Sequence, residues 1–502
     1  MARVLFLATN RERTPFPVMP VGPAIVAAHT ARAGHEARVL DLMFEESPEA
    51  AIERVVAEFR PEVVGASLRN IDNSDLIETK YYLPEIERLL EALRATAPGV
   101  PVILGGAATS IEPEALLRLW GPSGRNLVDA LLTGDAERRF PELVSRLVAG
   151  ESTASMSLPG LARISAEGAF EHQRVGLAEP IDGLFDAALF GHTDVARYDR
   201  HDGVYPIQTR RGCAFTCTYC TYGSLEGLRT RYRTPEEVAL EIERAVARGV
   251  VRFEFVDAVF SHPAAHARAV LHEIVRRGLS KRVELSAAGL NPVGVTEELI
   301  ALMRKAGFTS VSATVEGAST AMLERLQKGF DRDGVARLAA WLPKHGIRTV
   351  WIFLIGSPGE TRGTVEETFA FIHEHISTKD LVYITNGVRV YRGTGLHRRL
   401  VEEGKLAPDA NLLEPVFAFS ETLPRDWYLA RLLAFSRAHP NVVNSFEAGQ
   451  PIVERLARAL GRLPLPRPRW RLLPAIRRLG SPFRAARADA LSSSPWPVVV
   501  AG

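Results

Sequence analysis

Apolar runs and amphipathic stretches alternate along the first 150 residues. The run VLFLA at 4–8 has the continuous apolar character of a buried strand, and the stretch after it has helical periodicity that ends near Gly34. Four more apolar runs follow, with helical stretches predicted over roughly 48–59 and 83–95. They read ARVLDL, VVGASL, VPVILGG and LVDALLTGD. This alternation predicts an α/β domain at 1–150, with a doubly wound, Rossmann-like parallel sheet that binds ligands at the carboxyl ends of its strands.

A second alternating series follows a connector at 151–200, which we interpret as a linker with short strand-like pieces such as LARIS. Six apolar runs, each separated from the next by a helical pattern, predict a partial or complete parallel (β/α) barrel at 201–398. They read YPIQTRRGC, VRFEFVD, RVELSAAG, TSVSATVEG, RTVWIFLIG and LVYITNGVRV. The active site of such a barrel is expected at the carboxyl-terminal edge of its strands.

The segment 399–502 reads as mostly helical, with helices predicted over 427–438 and 451–460. It contains LPLPRPRWRLLPAIRRLG, and a Pro- and Arg-rich basic tail of this kind is usually solvated or loosely docked. The whole chain balances 61 basic against 59 acidic residues, for a formal net charge of +2. Because no overall field favours a polyanion, we predict no nucleic-acid partner.

Composition places the chain among soluble globular proteins of more than one domain. It has 502 residues, of which 46% are hydrophobic and 24% charged. The first apolar run is too short for a signal-peptide core and is followed by charges, and no apolar stretch reaches the length of a membrane span. We therefore expect no membrane span and a cytoplasmic location.

All three cysteines of the chain, Cys213, Cys217 and Cys220, lie together just after the first predicted barrel strand. An odd number at such close spacing is not a disulfide framework. Thiolates spaced C-x-x-x-C-x-x-C on one loop can hold three irons of a 4Fe-4S cubane and leave the fourth iron open. The alternatives are packed free thiols and a zinc site, which usually takes four Cys or His ligands, and His201 is the only histidine near in sequence.

The segment from Arg211 to Cys220 resembles the signature of the radical S-adenosylmethionine superfamily, and the resemblance extends over roughly 205–400. It implies that the three cysteines hold a 4Fe-4S cluster whose open iron is chelated by the amine and carboxylate of S-adenosylmethionine. It also implies that Tyr219, just before the last cysteine, contacts the adenine of that cofactor.

Three other barrel segments resemble motifs of the same family. VRFEFVDAVFSHP is similar to the second-strand motif, with Asp257 at the exit of the strand. In SATVEGAS, Glu316 falls where the family often places a carboxylate for the ribose hydroxyls, a solvated turn glutamate being the alternative. In WIFLIGSPGET, Ile355 and Gly356 fall where the backbone approaches adenine, which glycine permits because it has no side chain. The resemblance therefore predicts that these four residues bind the cofactor.

The first domain, taken alone, is compatible with a nucleotide, a flavin, cobalamin or a purely structural role, and it has no G-x-G-x-x-G fingerprint. Several of its segments are similar, in order, to the cobalamin-binding domain of cobalamin-dependent radical S-adenosylmethionine enzymes. In that resemblance Gly105 and Gly106 offer bare backbone to the corrin ring.

One departure from other cobalamin proteins is the absence of D-x-H-x-x-G, the motif that supplies a histidine to cobalt. The resemblance then brings the lower face of cobalt to the loop Ser67–Asn70, so Ser67, Arg69 and Asn70 are predicted to contact cobalamin. Arg69 is the candidate neighbour of the metal, where a cation would disfavour a lower axial ligand. The alternative is that Arg69 pairs with Asp72 or Asp75.

The resemblance implies a C-methyltransferase that uses a 4Fe-4S cluster, S-adenosylmethionine and cobalamin. A 5'-deoxyadenosyl radical would abstract hydrogen from an unactivated carbon, and the substrate radical would take methyl from methylcobalamin. The expected partners are a small-molecule or peptide substrate and an electron donor such as flavodoxin or ferredoxin. The rival functions are cyclisation or ring rearrangement without methyl transfer, methylthio transfer, which would require extra cysteines, and a non-catalytic cobalamin or Fe-S sensor.

Overall fold

A computed structural model describes residues 1–176, 179–185, 188–444, 469–478 and 497–501. These residues form two compact units. The first consists of Met1–Asn73, Tyr81–Tyr205 and Ser224–Tyr232, and the second of Ser74–Lys80, Pro206–Gly223 and the described part of Arg233–Gly502.

The first unit alternates strands and helices as predicted. Its strands are β1 (Arg3–Ala8), β2 (Glu36–Asp41), β3 (Val63–Ser67), β4 (Val102–Gly105), β5 (Ala130–Leu132), β6 (Leu161–Ile164) and β7 (Phe170–His172). Its helices are α1 (Val21–Arg32), α2 (Pro48–Phe59), α3 (Leu83–Thr96), α4 (Pro113–Trp120), α5 (Arg139–Val148), α6 (Ala188–His192) and α7 (Val195–Arg200), with a 3-10 turn at Ala107–Ser110.

The seven strands form one sheet in the order β2-β1-β3-β4-β5-β6-β7. The first five run parallel, and β6 and β7 are added antiparallel. The order 2-1-3-4-5 is that of a doubly wound sheet, in which ligands bind at the carboxyl ends of β1 and β3, where the strand order reverses. The predicted doubly wound sheet is therefore confirmed.

Burial explains why continuous apolar runs form these strands. Almost every side chain of β1 and β3 is buried, because helices cover both faces of a parallel sheet. Phe6 of β1 packs against Phe140 of α5, with ring centroids 5.0 Å apart. Helix α2 has Pro48 in its first turn and buries Val55 and Phe59 on one face. The central strands of the sheet are thus covered on both faces, and their carboxyl ends lead into the loops at which we expect a ligand.

Two strands lie in the segment 151–200 that we predicted as a linker. β6 covers the first four residues of the strand-like piece LARIS that the sequence indicated, and with β7 it extends the first sheet. The two strands have only four and three residues, so their hydrophobic pattern is a weaker signal than the continuous apolar runs of the parallel strands. The predicted domain boundaries themselves stay a prediction.

The second unit contains the longer series. Its helices are α9 (Pro235–Ala247), α10 (Ala264–Arg276), α11 (Glu297–Ala306), α12 (Thr320–Arg325), α13 (Arg332–Lys344), α14 (Arg362–His375), α15 (Gly395–Glu402), α16 (Arg425–Ala438) and α17 (Leu473–Arg478), after a short α8 (Tyr222–Leu225). Its strands are β8 (Tyr205–Ile207), β9 (Arg210–Arg211), β11 (Arg252–Phe255), β12 (Glu284–Ala287), β13 (Ser310–Glu316), β14 (Arg348–Ile355), β15 (Leu381–Asn386), β16 (Val388–Arg389), β17 (Phe417–Ser420), β18 (Val442–Asn444) and β19 (Val498–Ala501). β10 (Arg231–Tyr232) belongs to the first unit, and 3-10 turns lie at Leu279–Lys281 and Arg469–Leu472.

All six predicted barrel strands form. The strand order is β8-β11-β12, then β13-β14-β15-β18, and isolated parallel bridges at Leu285–Phe308 and Leu290–Ala313 join the two groups. Within the described residues no pairing joins β18 back to β8, so the barrel is partial and open. A partial barrel was one of the two predicted forms.

Burial alternates along the barrel strands, in contrast to the first sheet. On β11 and β14 every second side chain is fully buried and the others are partly buried. One face is covered by helices and the other is the inner face of the barrel, which is where a (β/α) enzyme binds its ligands.

The carboxyl-terminal region is less helical than predicted. The helix expected over 427–438 is confirmed as α16, but β17, β18 and β19 were not predicted. These strands have only three or four residues each, which is too few for periodicity to distinguish them. The helix predicted over 451–460 lies outside the described residues, as do parts of the basic tail. In its described part, Arg471 donates to the carbonyl of Thr309 at 3.0 Å, at the amino end of β13.

Candidate active site

The cysteine loop follows β8 and β9 at the edge where the predicted active site lies. Gly212 begins it with φ +99°, a conformation that favours glycine. The loop is fixed to two helices, because the amide of Thr218 donates to the carbonyl of Leu326 at 3.2 Å and the amide of Leu396 donates to the carbonyl of Thr218 at 2.7 Å. The loop that carries the three thiols is therefore held in place by two backbone hydrogen bonds at Thr218.

The three thiols lie close enough together to affect one another's pKa values. Cys213 is buried, and Cys217 and Cys220 are partly buried. Burial raises the pKa of Cys217, and burial together with the other two thiols raises the pKa of Cys220 to about 11. The nearby ammonium of Lys328 acts in the opposite direction on both pKa values, because a cation stabilises a thiolate.

Lys328 joins this loop to Glu316. Its ammonium is ion-paired with the Glu316 carboxylate and lies 3.2 Å from the hydroxyl of Tyr219. Lys328 is 4% exposed and Glu316 is 9% exposed. Burial alone would lower the pKa of Lys328, but Glu316 and the thiols outweigh it, so the pKa is raised and the lysine stays charged. The predicted residues Tyr219 and Glu316 thus lie together, joined by a lysine that sequence reasoning missed.

Asp257 lies at the exit of β11, as predicted, and its carboxylate is fully engaged by the chain itself. It accepts hydrogen bonds from the amide and hydroxyl of Thr209, both at 2.7 Å, and from the amide of Arg210 at 3.2 Å. Burial raises the pKa of Asp257, and Arg210 and these donors partly offset the effect. Its observed contacts fix the segment that leads into the cysteine loop, and direct contact with the cofactor stays a prediction.

Ile355 and Gly356 end β14 at the same edge. Ile355 is buried, and Gly356 has φ +94°. A Cβ at Gly356 would meet the ring of Phe419 at 2.4 Å, so packing against β17 requires glycine here. The contact of this backbone with adenine stays a prediction.

Glu360, which sequence reasoning also missed, holds this turn. It accepts from the amides of Gly356 and Ser357 at 2.6 and 3.2 Å. Burial raises its pKa to about 8, while these donors act to lower it. A signal was available, because an acid just before the helix α14 in a Gly-Ser-Pro-Gly turn is well placed to accept backbone amides. Lys328 had no such local signal, because it lies twelve positions after its partner in an unrelated turn.

The predicted cobalamin residues lie at the carboxyl edge of the first sheet. Ser67 ends β3, and its carbonyl accepts from the hydroxyl of Thr9, the residue after β1, at 2.5 Å. Arg69 and Asn70 follow and are exposed. The loop is thus placed at the point where the strand order reverses, as the resemblance requires. The partner of Arg69 stays a prediction.

Gly105 and Gly106 end β4 beside that loop. The amide of Leu68 donates to the carbonyl of Gly105 at 2.7 Å. A Cβ on Gly106, which has φ +103°, would meet the carbonyl oxygen of Leu68 at 2.4 Å, whereas a Cβ on Gly105 would meet nothing closer than 3.7 Å. Gly106 is therefore required by the chain itself, and only Gly105 has spare room for a bulky planar ligand.

The donor set fits a cubane better than a single metal ion. No group of three or more His, Cys, Asp or Glu side chains in the described part of the chain is spaced to hold one ion. Each thiolate of a cubane binds a different iron, so the three sulfurs need not converge on one point. A zinc site usually takes four Cys or His ligands, and the chain has only these three cysteines.

Two family models match the chain. The Radical SAM superfamily matches residues 207–372, and the B12 binding domain matches residues 10–144. The first match covers the cysteine loop and the barrel strands β11 to β14, and the second covers β2 to β5 of the first sheet.

Several relatives are similar to this chain over most of its length. An uncharacterised methyltransferase of Pyrococcus horikoshii is 26% identical over 360 residues, which cover 70% of this chain and 72% of the relative. The tryptophan 2-C-methyltransferase of Streptomyces laurentii is 24% identical over 444 residues, covering 77% and 73%. An anaerobic magnesium-protoporphyrin IX monomethyl ester cyclase of Rubrivivax gelatinosus is 24% identical over 385 residues, covering 73% and 65%.

A solved structure has the same fold. The radical S-adenosylmethionine methyltransferase TsrM of Kitasatospora setae, with tryptophan and an S-adenosylmethionine analogue bound, has a TM-score of 0.81 and 22% identity. The match covers 95% of this chain and 99% of TsrM.

The chain combines a Radical SAM domain with a B12 binding domain, and over most of its length it is similar to radical S-adenosylmethionine methyltransferases and, at 24% identity, to a cyclase. The predicted fold class is confirmed, and the predicted enzyme class and its cofactors, namely a 4Fe-4S cluster, S-adenosylmethionine and cobalamin, are confirmed at the level of the family. The role of each site residue stays a prediction. Among the described residues, no helix is long and apolar enough to cross a bilayer.

Proposed function

We propose that this chain moves a methyl group from S-adenosylmethionine, by way of cobalamin, to an unactivated carbon of a small molecule. One observation carries the proposal: the same chain contains a B12-binding domain and a braced loop with three thiols and no fourth cysteine. A cluster held by three thiolates leaves one iron for a cofactor. When bound, the cluster, S-adenosylmethionine and cobalamin supply hydrogen abstraction and a transferable methyl group.

The chain supplies placement and charge around these groups. Cys213, Cys217 and Cys220 each hold one iron. Lys328 keeps a positive charge beside the thiolates and orients Glu316 and Tyr219 through the contacts described above. Glu360 holds the turn at Gly356, and Asp257 holds the segment before the loop; both are positioning residues.

We propose tryptophan as the first substrate to test, because a relative similar over most of this chain is a tryptophan 2-C-methyltransferase. A flavodoxin or ferredoxin is proposed as the electron donor, and the cytoplasm as the location. We propose no nucleic-acid partner, because the net charge is only +2.

Product analysis tests the proposal. The protein is reconstituted without oxygen with iron, sulfide and cobalamin, and is given S-adenosylmethionine with a trideuterated methyl group. Methyl transfer predicts S-adenosylhomocysteine, 5'-deoxyadenosine and a product heavier by one labelled methyl. Formation of 5'-deoxyadenosine with substrate conversion but no labelled product would contradict it.

Cyclisation or ring rearrangement is the second candidate, favoured by the similarity to a porphyrin-ester cyclase. It predicts 5'-deoxyadenosine and a rearranged product without S-adenosylhomocysteine. Methylthio transfer is disfavoured, because the chain has no cysteine outside the loop to hold a second cluster. A non-catalytic sensor predicts binding of the cofactors without either product.

A further inference from the structure

A carboxyl group lies on the inner face of the barrel sheet, away from the residues assigned above. Glu254 is the third residue of β11. Its neighbours along the strand, Phe253 and Phe255, are fully buried, while Glu254 itself is partly buried. Because successive side chains of a strand point to opposite faces, Glu254 lies on the face opposite to these two rings.

The two phenylalanines mark the outer face. Phe255 packs against Phe260 and Phe308, with ring centroids 4.6 and 5.6 Å apart. The partly buried face of the sheet therefore points into the barrel. Leu354 of β14 lies on this face and packs in the same apolar cluster as Tyr219 of the cysteine loop. The inner face that carries Glu254 therefore meets the cysteine loop at β14, three strands along the barrel from β11.

The Glu254 carboxyl lacks a partner among the residues that the structure describes. Within the described residues, no hydrogen bond or ion pair reaches this side chain. Ser286, its register partner on β12, donates its hydroxyl instead to the carbonyl of Phe253 at 3.1 Å. Thr385 on the same face likewise donates to the carbonyl of Phe353 at 3.1 Å. The hydroxyl groups of Ser286 and Thr385 are therefore already engaged by backbone carbonyls.

Apolar and polar side chains share the rest of this face. The inner positions of β14 are Arg348, Val350, Ile352 and Leu354, and those of β13 and β15 include Ser312, Thr314, Tyr383 and Thr385. The charged groups lie toward the amino ends of the strands, where Arg252 is in register with Glu284 and where Arg471 donates to Thr309.

Burial raises the pKa of Glu254 to about 7, and burial is the only cause of the shift. A carboxyl group left without a partner in a low-dielectric interior is costly, and such groups occur mostly where a ligand completes the site. A ligand with a basic nitrogen would satisfy both the charge and the hydrogen-bonding capacity of the carboxylate.

We propose that Glu254 binds a protonated nitrogen of the methyl acceptor inside the barrel, so that the substrate class is an amine with an apolar body. The proposal rests on the proposed function, because it assigns the substrate of that same site. The apolar positions of β14 would cover the body of such a molecule, and the packing of Leu354 in the same cluster as Tyr219 would bring it to the cysteine loop.

Amine and alcohol pairs of equal shape test this directly. The reconstituted full-length protein is titrated calorimetrically, near neutral pH and without oxygen, with tryptamine and tryptophol, benzylamine and benzyl alcohol, and hexylamine and hexanol. We expect at least one amine to bind about ten-fold more tightly than its alcohol, because a charge-assisted hydrogen bond is stronger than a neutral one. Glu254→Gln should abolish this preference and leave alcohol binding unchanged.

Glu284→Gln is the matched control, because this acid lies on the neighbouring inner face, and it should keep the preference. The proposal is overturned if no amine is preferred by the wild-type protein, if the preference survives in Glu254→Gln, or if Glu284→Gln removes it equally. Should Glu254→Gln fail to fold, carbodiimide coupling in the wild-type protein replaces it: the carbodiimide activates the Glu254 carboxyl, the bound amine should displace the urea and form an amide with Glu254 in preference to Glu284, and absence of this amide from the Glu254 peptide would overturn the proposal. Binding is measured without turnover, so amine binding without methyl transfer would count against the proposed function alone.

Discussion

The two sheets of this chain bury their strands differently, and the difference determines where each can carry chemistry. β3 of the first unit is buried on both faces, whereas β14 of the second unit is buried on alternate residues only. A sheet covered on both faces can bind a ligand only beyond its strand ends, as we predict for Ser67 and Gly105. A partial barrel can also use the inner faces of its strands, as at Glu254, so two kinds of position become available for function.

The largest expected effect is on the cysteine loop. Cys217→Ser removes one of three iron ligands, so we expect loss of the cluster and a fall in 5'-deoxyadenosine formation of roughly a hundred-fold or more. Thr216→Ser is a conservative change at an exposed position of the same loop, and it should retain both the cluster and 5'-deoxyadenosine formation. Iron content and product formation are the measurements. A Cys217→Ser protein that keeps its full iron content would refute the ligand assignment.

The next effect tests the buried charges behind that loop. Lys328→Met leaves the Glu316 carboxylate buried without its cation, which should lower the free energy of unfolding by about 3 to 5 kcal/mol. Adding Glu316→Gln should recover part of the loss, because the uncompensated charge is then removed. Denaturant unfolding of the single and double variants measures the coupling. Equal stability of Lys328→Met and the wild-type protein would contradict a buried ion pair.

A pH-dependent effect tests the inner face. Burial raises the pKa of Glu254 from its ordinary 4.5 to about 7 in the folded protein. The folded protein therefore binds this proton more tightly than the unfolded chain does. The resulting stabilisation is fully present below pH 4.5 and is lost as the pH rises through 7. Glutamine does not titrate. We therefore expect Glu254→Gln to be more stable than the wild-type protein by roughly 3 kcal/mol at about pH 8, and the gain to shrink toward about pH 5. Thermal unfolding across this range measures it, with Glu284→Gln as the control. If the difference in unfolding free energy between the two proteins does not depend on pH, the pKa of Glu254 is not raised on folding. The carboxyl would then be in contact with water.

The smallest effect tests the edge of the first sheet with two adjacent glycines. Gly106→Ala should destabilise the protein by about 2 kcal/mol, because its φ is +103° and its Cβ would meet the Leu68 carbonyl. Gly105→Ala should leave stability unchanged and weaken cobalamin binding, because nothing in the chain occupies its space. Thermal unfolding and cobalamin absorbance separate the two. If Gly105→Ala binds cobalamin as tightly as the wild-type protein, the corrin does not contact this backbone.

The contrast between the two sheets also explains how much the sequence could predict. Runs such as VLFLA and the barrel strands are long enough for periodicity to identify them, and three clustered cysteines carry a specific chemical signal. β17, β18 and β19 escaped prediction because strands of three or four residues show no period. Lys328 escaped because only the folded chain brings it to Glu316 and Tyr219.

Glu254 illustrates a different limit. Its alternation with Phe253 and Phe255 was visible in the sequence, but a partly exposed glutamate on a strand is usually solvated. Only the position of β11 in the barrel and the lack of a partner within the described residues make it a candidate site. The residues that bind a substrate are thus harder to recognise than those that bind a cofactor, because they follow no shared motif.

The central claim, a cluster held by three thiolates with one iron open, can be measured by electron paramagnetic resonance of the reconstituted, reduced protein. We predict about four irons and four sulfides per chain and a signal whose g values shift when S-adenosylmethionine is added, because the cofactor coordinates the open iron. A cluster whose signal does not change with S-adenosylmethionine, or a protein that binds no iron and sulfide, would contradict the account.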